Sequence, residues 1–284
     1  MRIAFTKMHG LGNDFIVFEA ARRGDVPSRE TLQRLADRRT GIGFDQALVL
    51  APPRRAGTDV HYRIFNADGS EVEQCGNGAR CIARLVATRL GIRERPLAMD
   101  SPGGLVRAEL RPDGLVSVEM GVPDFDPRSL PFVADAEAPS YRLDLTGGPV
   151  EFGAVSIGNP HAVIRVRDVD DAPVDTVGPA VENHARFPRR VNVGFLEILA
   201  PDHVRLRVHE RGAGETLACG TGACAAVAVG RRHGPLAEEV RVDLPGGRLT
   251  VRWPGPGAPV WLTGPAETAF EGQVEIPETL GSTG

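Results

Sequence analysis

The chain has 284 residues, 42% of them hydrophobic and 25% charged, with a formal net charge of -4, which describes an ordinary globular protein of about two domains. No basic stripe marks a nucleic-acid surface and no run approaches the ~20 apolar residues of a membrane span. The start, Met1-Arg2-Ile3-Ala4-Phe5-Thr6-Lys7, lacks the apolar core of a secretory signal, so a cytoplasmic location is expected, with the four cysteines as thiols rather than a disulfide framework.

Residues 3–19 read as strand, Gly-rich turn and strand around Gly10, Gly12 and Asn13. Ser28 is placed to cap a helix carrying Leu32, Leu35 and Ala36. Gln46–Leu50 and His61–Asn66 are predicted strands, the second leading to the turn Ala67-Asp68-Gly69-Ser70. After Cys75 the spacing of Ile82, Leu85, Val86 and Leu90 predicts a helix that Gly91 stops. Leu105–Leu110 and Leu115–Met120 suggest a hairpin turning at Pro112-Asp113-Gly114. The stretch from Pro123 to Pro149, rich in Pro, Asp and Ala, reads as a boundary region, with the division near Gly121.

The plan then repeats. Ala154–Ile157 and Ala162–Val166 are strands around Gly158-Asn159-Pro160-His161. A short helix is expected over Val177–His184, and strands over Phe195–Leu199 and Val204–Val208. Cys219 opens a helix to about Arg232. Strands over Val240–Leu244, Arg248–Trp253 and Pro259–Thr263 close the second half, and Pro277–Gly284 reads as a frayed tail. The expected domains are 1–120 plus 265–284, carrying Cys75, and 121–264, carrying Cys219.

The repetition is literal. Cys75-Gly76-Asn77-Gly78-Ala79 is answered by Cys219-Gly220-Thr221-Gly222-Ala223, and Leu11-Gly12-Asn13 by Ile157-Gly158-Asn159. The intervals from Gly12 to Cys75 and from Gly158 to Cys219 agree to within two residues. Each cysteine stands where a Gly-rich turn enters a helix, where unpaired N–H groups carry about half a positive charge. That field is expected to lower a thiol pKa and to bind a carboxylate. Two such motifs would supply a base, an acid and a held carboxylate, the equipment for taking a proton from one face of a carbon and returning one to the other. A single cysteine of this kind is as often a small buried hydrophobe; the matched pair favours chemistry. Cys81 and Cys224 fall inside the helices and read as core.

No Cys-x-x-Cys or His-x-x-x-His spacing occurs, so no metal is expected. Lys7 is the only lysine in the chain, which leaves one candidate for a pyridoxal Schiff base and no phosphate motif near it. Asn13, Asn66, Asn77, Asn159 and Asn192 lie in or beside Gly-rich turns and serve equally well as turn residues. Arg211 could clamp a carboxylate in bidentate fashion, or pair with Glu210 at the surface. His161 either tunes a thiol or fills a polar position.

These strings resemble the diaminopimelate epimerases nearly end to end, through Lys7–Phe15, Gly41–Gln46, Phe65–Glu71, Gly158–His161, Arg190–Asn192 and Glu210–Thr216. The resemblance implies an α/β (α+β) fold of two similar domains about a pseudo-twofold axis, each a mixed, largely antiparallel sheet wrapped around a central helix, with the active site in a cleft. It implies cofactor-independent epimerisation of L,L-diaminopimelate to the meso form, with Cys75 and Cys219 as the two thiols and His161 and Glu210 close to them. Asn13, Gln46, Asn66, Gly76, Asn77, Asn159, Asn192, Glu210, Arg211, Gly220 and Thr221 would line the substrate. It also implies a homodimer, with Phe270 standing where some members have a Tyr. Two rivals remain: a proline-type racemase or related isomerase of similar fold, and a non-enzymatic binding protein whose two thiols form a redox switch.

Overall fold

The computed structural model describes residues 2–20, 26–72 and 76–275. Cys75 and the tail expected at Pro277–Gly284 lie outside the described residues. The chain divides into one unit of Met1–Val116 with Pro265–Gly284 and another of Ser117–Gly264. Among the described residues no helix is long and apolar enough to cross a membrane.

In the first unit, β1 (Arg2–Gly10) and β2 (Asn13–Glu19) form a hairpin registered from Phe5–Phe18 to Gly10–Asn13. Its two-residue turn puts both Leu11 (φ 56°) and Gly12 (φ 85°) in the left-handed region, as a turn matching strand twist requires. α1 (Arg29–Ala36) crosses to β3 (Gln46–Ala51), which lies parallel to β2. Ser28 caps α1, its hydroxyl accepting from the Thr31 amide at 3.3 Å. β4 (Val60–Asn66) runs antiparallel to β3, and β5 (Glu71–Val72) to β4. α2 (Gly76–Leu90) then crosses to β6 (Leu97–Ser101), parallel to β4, and β7 (Gly104–Leu110) returns along β6. α1 covers one face of the sheet over Ile16, Phe18, Ala47, Val49 and Phe65. α2 packs against β1, β2, β3, β6 and β7.

The second unit follows the same connections. β8 (Val116–Glu119) comes first, then β9 (Tyr141–Leu145), antiparallel to β10 (Gly148–Ser156), itself antiparallel to β11 (Pro160–Val166). α3 (Val174–Glu182) crosses to β12 (Asn192–Ala200), parallel to β11. β13 (His203–Glu210) and β14 (Gly214–Thr216) add antiparallel strands. α4 (Gly220–Arg232) crosses to β15 (Glu239–Leu244), parallel to β13. β16 (Gly247–Arg252) and β17 (Trp261–Gly264) follow in antiparallel order, and β17 pairs with β8. α4 is buried nearly all round because Gly222, Ala223, Ala225, Ala226 and Ala228 let strands approach closely. Both units are mixed sheets of chiefly antiparallel strands, each with a helix packed on it.

Several elements differ from expectation. The boundary region contains β9, and its Leu130, Phe132, Tyr141 and Leu143 belong to the core beneath α3. α3 begins at Val174, three residues early, behind Pro173, which offers no side-chain cap. The turn at Pro112–Gly114 is present, closed by the Arg111 amide to the Leu115 carbonyl at 2.9 Å, while β7 pairs with β6 and β8 with β17. β5, β6 and β14 were not legible, nor was β18 (Glu267–Glu275), which pairs antiparallel with β1.

Candidate functional site

The chemistry of the second unit gathers at one end of its sheet, where β11 and β12 begin, β13 ends and α4 starts. Cys219 is the N-cap of α4, in extended conformation, and is buried and in no disulfide. Its thiol donates to Glu210 Oε2 at 3.1 Å, and Thr221 Oγ1 lies 3.6 Å from Sγ. The other Glu210 oxygen accepts from the Thr216 hydroxyl at 2.5 Å. Thr221 in turn takes the Asn159 amide at 3.3 Å, and Asn159 Oδ1 lies 2.9 Å from His161 Nε2. One chain of polar contacts thus runs from His161 through Asn159 and Thr221 to Cys219 and on to Glu210. Among the described residues His161 is linked to Cys219 through this chain, whereas Glu210 touches the sulfur directly.

The thiol pKa is opposite to the sequence expectation. Burial pushes it well above its ordinary value, and the Glu210 charge and hydrogen bond push the same way. Thr221 and the Gly222 amide favour the thiolate but are outweighed. Cys219 is therefore a neutral thiol whose proton is aimed at a carboxylate. Gly222 keeps the sulfur uncrowded, since a Cβ there would lie 3.3 Å from Sγ and 3.0 Å from Val208 Cγ2. Burial, with the Arg211 charge second, lowers His161 to about 3, so its imidazole is neutral.

Arg211 begins the turn after β13. Its amide donates to Asn192 Oδ1 at 3.0 Å and its guanidinium touches the Arg189 carbonyl at 3.2 Å. Asn192 also donates to the Pro160 carbonyl at 3.0 Å, so much of its amide is spent inside the protein. Gly220 is the first residue of α4, buried beside the thiol.

In the first unit the predicted residues also meet at one sheet end. Asn13 starts β2, Gln46 starts β3, Asn66 ends β4 and Gly76 starts α2. Gln46 Nε2 donates to Asn66 Oδ1 at 2.9 Å, and Asn66 to Ser70 Oγ at 3.1 Å. Asn77 reaches Asn13 at 3.4 Å, and Asn13 reaches Asp45 Oδ2 at 2.8 Å. Gln46 Oε1 is buried with no hydrogen-bond partner among the described residues. Arg80, wholly buried, donates to Asn77 Oδ1 at 2.7 Å. Lys7 is committed to Asp14 at 2.6 Å and to the Gly43 carbonyl. No cluster of His, Cys, Asp and Glu suited to a metal occurs among the described residues.

Sequence reasoning missed Thr216, which seats Glu210, and Arg80, which seats Asn77. It also missed Glu182 and His209, which lie 2.7 Å apart behind the Arg211 turn. Thr216 and Arg80 stood inside recognisable strings, Glu210–Thr216 and Cys75–Cys81, without a role assigned to them, and nothing in their spacing announced Glu182 and His209.

The family model described as diaminopimelate epimerase matches residues 5–125 and 153–269. A diaminopimelate epimerase of Alkalilimnicola ehrlichii is 56% identical over 278 residues, covering 97% of this chain and all of its own. One from Pseudomonas aeruginosa is 52% identical over 276 residues, with the same coverage. Among solved structures, a hydroxyproline epimerase from Agrobacterium vitis superposes with a TM-score of 0.69 at 18% identity, over 99% of this chain and 94% of its own, a likeness of fold alone.

Proposed function

The chain belongs to the diaminopimelate epimerase family, and we propose that it interconverts L,L-2,6-diaminopimelate and meso-diaminopimelate on the route to lysine and peptidoglycan. The observation that carries the chemistry is Cys219 at the head of α4, its proton directed to Glu210, within a motif that the chain repeats around Cys75.

Cys75 and Cys219 act as the two proton-transfer groups, one on each face of a single α-carbon. In the direction that Cys219 serves as acid, the protonated thiol is already in place. In the reverse direction it must first surrender its proton, and Glu210 is the acceptor within reach. The substrate carboxylate lies against the N-terminal amides of α4, Gly220 and Thr221 among them, where charge developing at the α-carbon is stabilised. Arg211 with Asn159 and Asn192 takes the distal amino-acid end, and Asn13, Gln46, Asn66, Gly76 and Asn77 complete recognition. His161, neutral by burial, is a fixed hydrogen-bond partner of Asn159 rather than a proton carrier. No cofactor takes part, and the engagement of Lys7 with Asp14 supports a route without a Schiff base. The protein works in the cytoplasm, and as a homodimer whose contact keeps an exposed aromatic ring at Phe270, packed edge-on against Phe5, without the hydroxyl that some family members carry there.

A proline-type racemase shares the fold, but a monocarboxylate substrate leaves Arg211 idle. A redox switch needs both sulfurs and gives no role to Glu210. The test is incubation with L,L-diaminopimelate in deuterated water. Meso product with deuterium at the inverted carbon is expected. Turnover of proline or hydroxyproline, with none of diaminopimelate, would reassign the substrate.

A further inference from the structure

Glu182 closes α3 and is buried against His209, the penultimate residue of β13. Its Oε2 lies 2.7 Å from His209 Nε2, while Oε1 accepts the Gly212 amide at 2.9 Å and faces the Arg190 guanidinium at 3.6 Å. Burial opposes ionisation of this carboxyl. The His209 hydrogen bond, the Gly212 amide and the His209 and Arg190 charges overcome it and hold the group below its ordinary value. The pocket for the His209 ring exists because residue 178 is glycine, where a Cβ would lie 2.7 Å from the ring's Cγ.

The side-chain bonds of this pair go to Gly212 and Arg190 rather than to the Cys219 thiol or the carboxylate of Glu210, the next residue after His209. What it holds is the turn that carries Arg211. Three successive amides there are tied down: Arg211 to Asn192 Oδ1, Gly212 to Glu182, and Ala213 to the Glu210 carbonyl at 3.0 Å. Glu182 supplies the one charged acceptor of the three, and charge-assisted bonds are about twice as strong as neutral ones. It also reaches Arg190, which stands in the left-handed region (φ 59°) next to Arg189, whose carbonyl receives the Arg211 guanidinium. Glu182 thus acts on both sides of Arg211, holding the amide of Gly212, the next residue, and pairing with Arg190 beside the carbonyl that receives the guanidinium, while Asn192 holds the Arg211 amide itself. A guanidinium that must meet a carboxylate with two parallel bonds tolerates little misplacement.

We propose that Glu182, seated by His209 and Arg190, is a positioning residue that aims Arg211 and so sets the preference for substrates bearing a distal carboxylate. This rests on Arg211 being the clamp for that carboxylate, as argued above.

The test is a cycle of E182A, R211A and the double variant in the full chain, with KM and kcat for L,L-diaminopimelate and the affinity for pimelate, a dicarboxylate probe. E182A is expected to raise KM about tenfold against less than a threefold change in kcat, and to weaken pimelate binding equally. In the R211A background the same substitution should cost less than about twofold. E182Q keeps an acceptor for Gly212 but loses the charge, and should raise KM by about two- to fourfold; it carries the test if E182A does not fold. Wild-type KM in E182Q and E182A, a fall in kcat without a rise in KM, or a full E182A effect on top of R211A each overturn the proposal. Wild-type protein that turns over diaminopimelate but does not bind pimelate removes Arg211 as the clamp and this inference with it. A failure of turnover alone strikes only the assigned substrate.

Discussion

Cys219 keeps its proton because burial penalises the thiolate and Glu210 adds a negative charge beside it. The Gly222 amide and the Thr221 side chain work against both and are outweighed. Replacing Glu210 by Gln removes the charge, and the apparent pKa of Cys219 should fall. Alkylation of the Cys219 peptide, followed by mass spectrometry across pH, reads it directly: the midpoint moves down in E210Q, and a midpoint that stays or rises contradicts the assignment. His161 makes a second prediction. Its pKa is about 3 when folded against 6.5 when unfolded, so the unfolded chain binds the proton more readily. The associated stability is complete above pH 6.5 and is lost as pH falls toward 3, at no more than about 1.4 kcal/mol per pH unit. The stability advantage of wild type over H161N, from urea unfolding, should shrink steadily between pH 6.5 and 4. A difference that stays flat over that range would remove the buried-imidazole account.

The helices that present the site depend on small and capping residues. A methyl group at Gly222 would press on Val208 and on the sulfur it faces. G222A should therefore lower kcat at least tenfold while Cys219 is still present and reduced; full activity in G222A would show that the sulfur has more room than the packing implies. Ser28→Ala removes the cap of α1 and should cost about 1 kcal/mol, seen as a fall in Tm of about 2–4 °C with KM unchanged. Ser28, Gly91 and Cys219 mark helix ends by local chemistry, which is why those boundaries were readable. β18 was not, because it is largely exposed along its length and owes its place to backbone pairing with β1. β9 and the aromatics before it were hidden for a different reason. β9 does alternate, Tyr141-Arg142-Leu143-Asp144-Leu145, but it is only five residues long and lies in a stretch rich in Pro, Asp and Ala, while Phe132, which packs on Tyr141 and Phe152, stands outside any strand.

Across the whole molecule, the duplicated cysteine motif was legible and so was the duplicated chain plan. Each unit runs hairpin, helix crossover, parallel strand, antiparallel strand, second helix crossover. The Glu182–His209 pair was not legible, since α3 and β13 meet only after the crossover from β11 to β12 has formed. The central claim is that two thiols, Cys75 and Cys219, carry the proton transfers. It is tested most directly by the interconversion rate of L,L- and meso-diaminopimelate in C75A and C219A, each confirmed folded. Both variants should lose at least a thousandfold. Retention of a tenth of wild-type activity in either one would contradict the account.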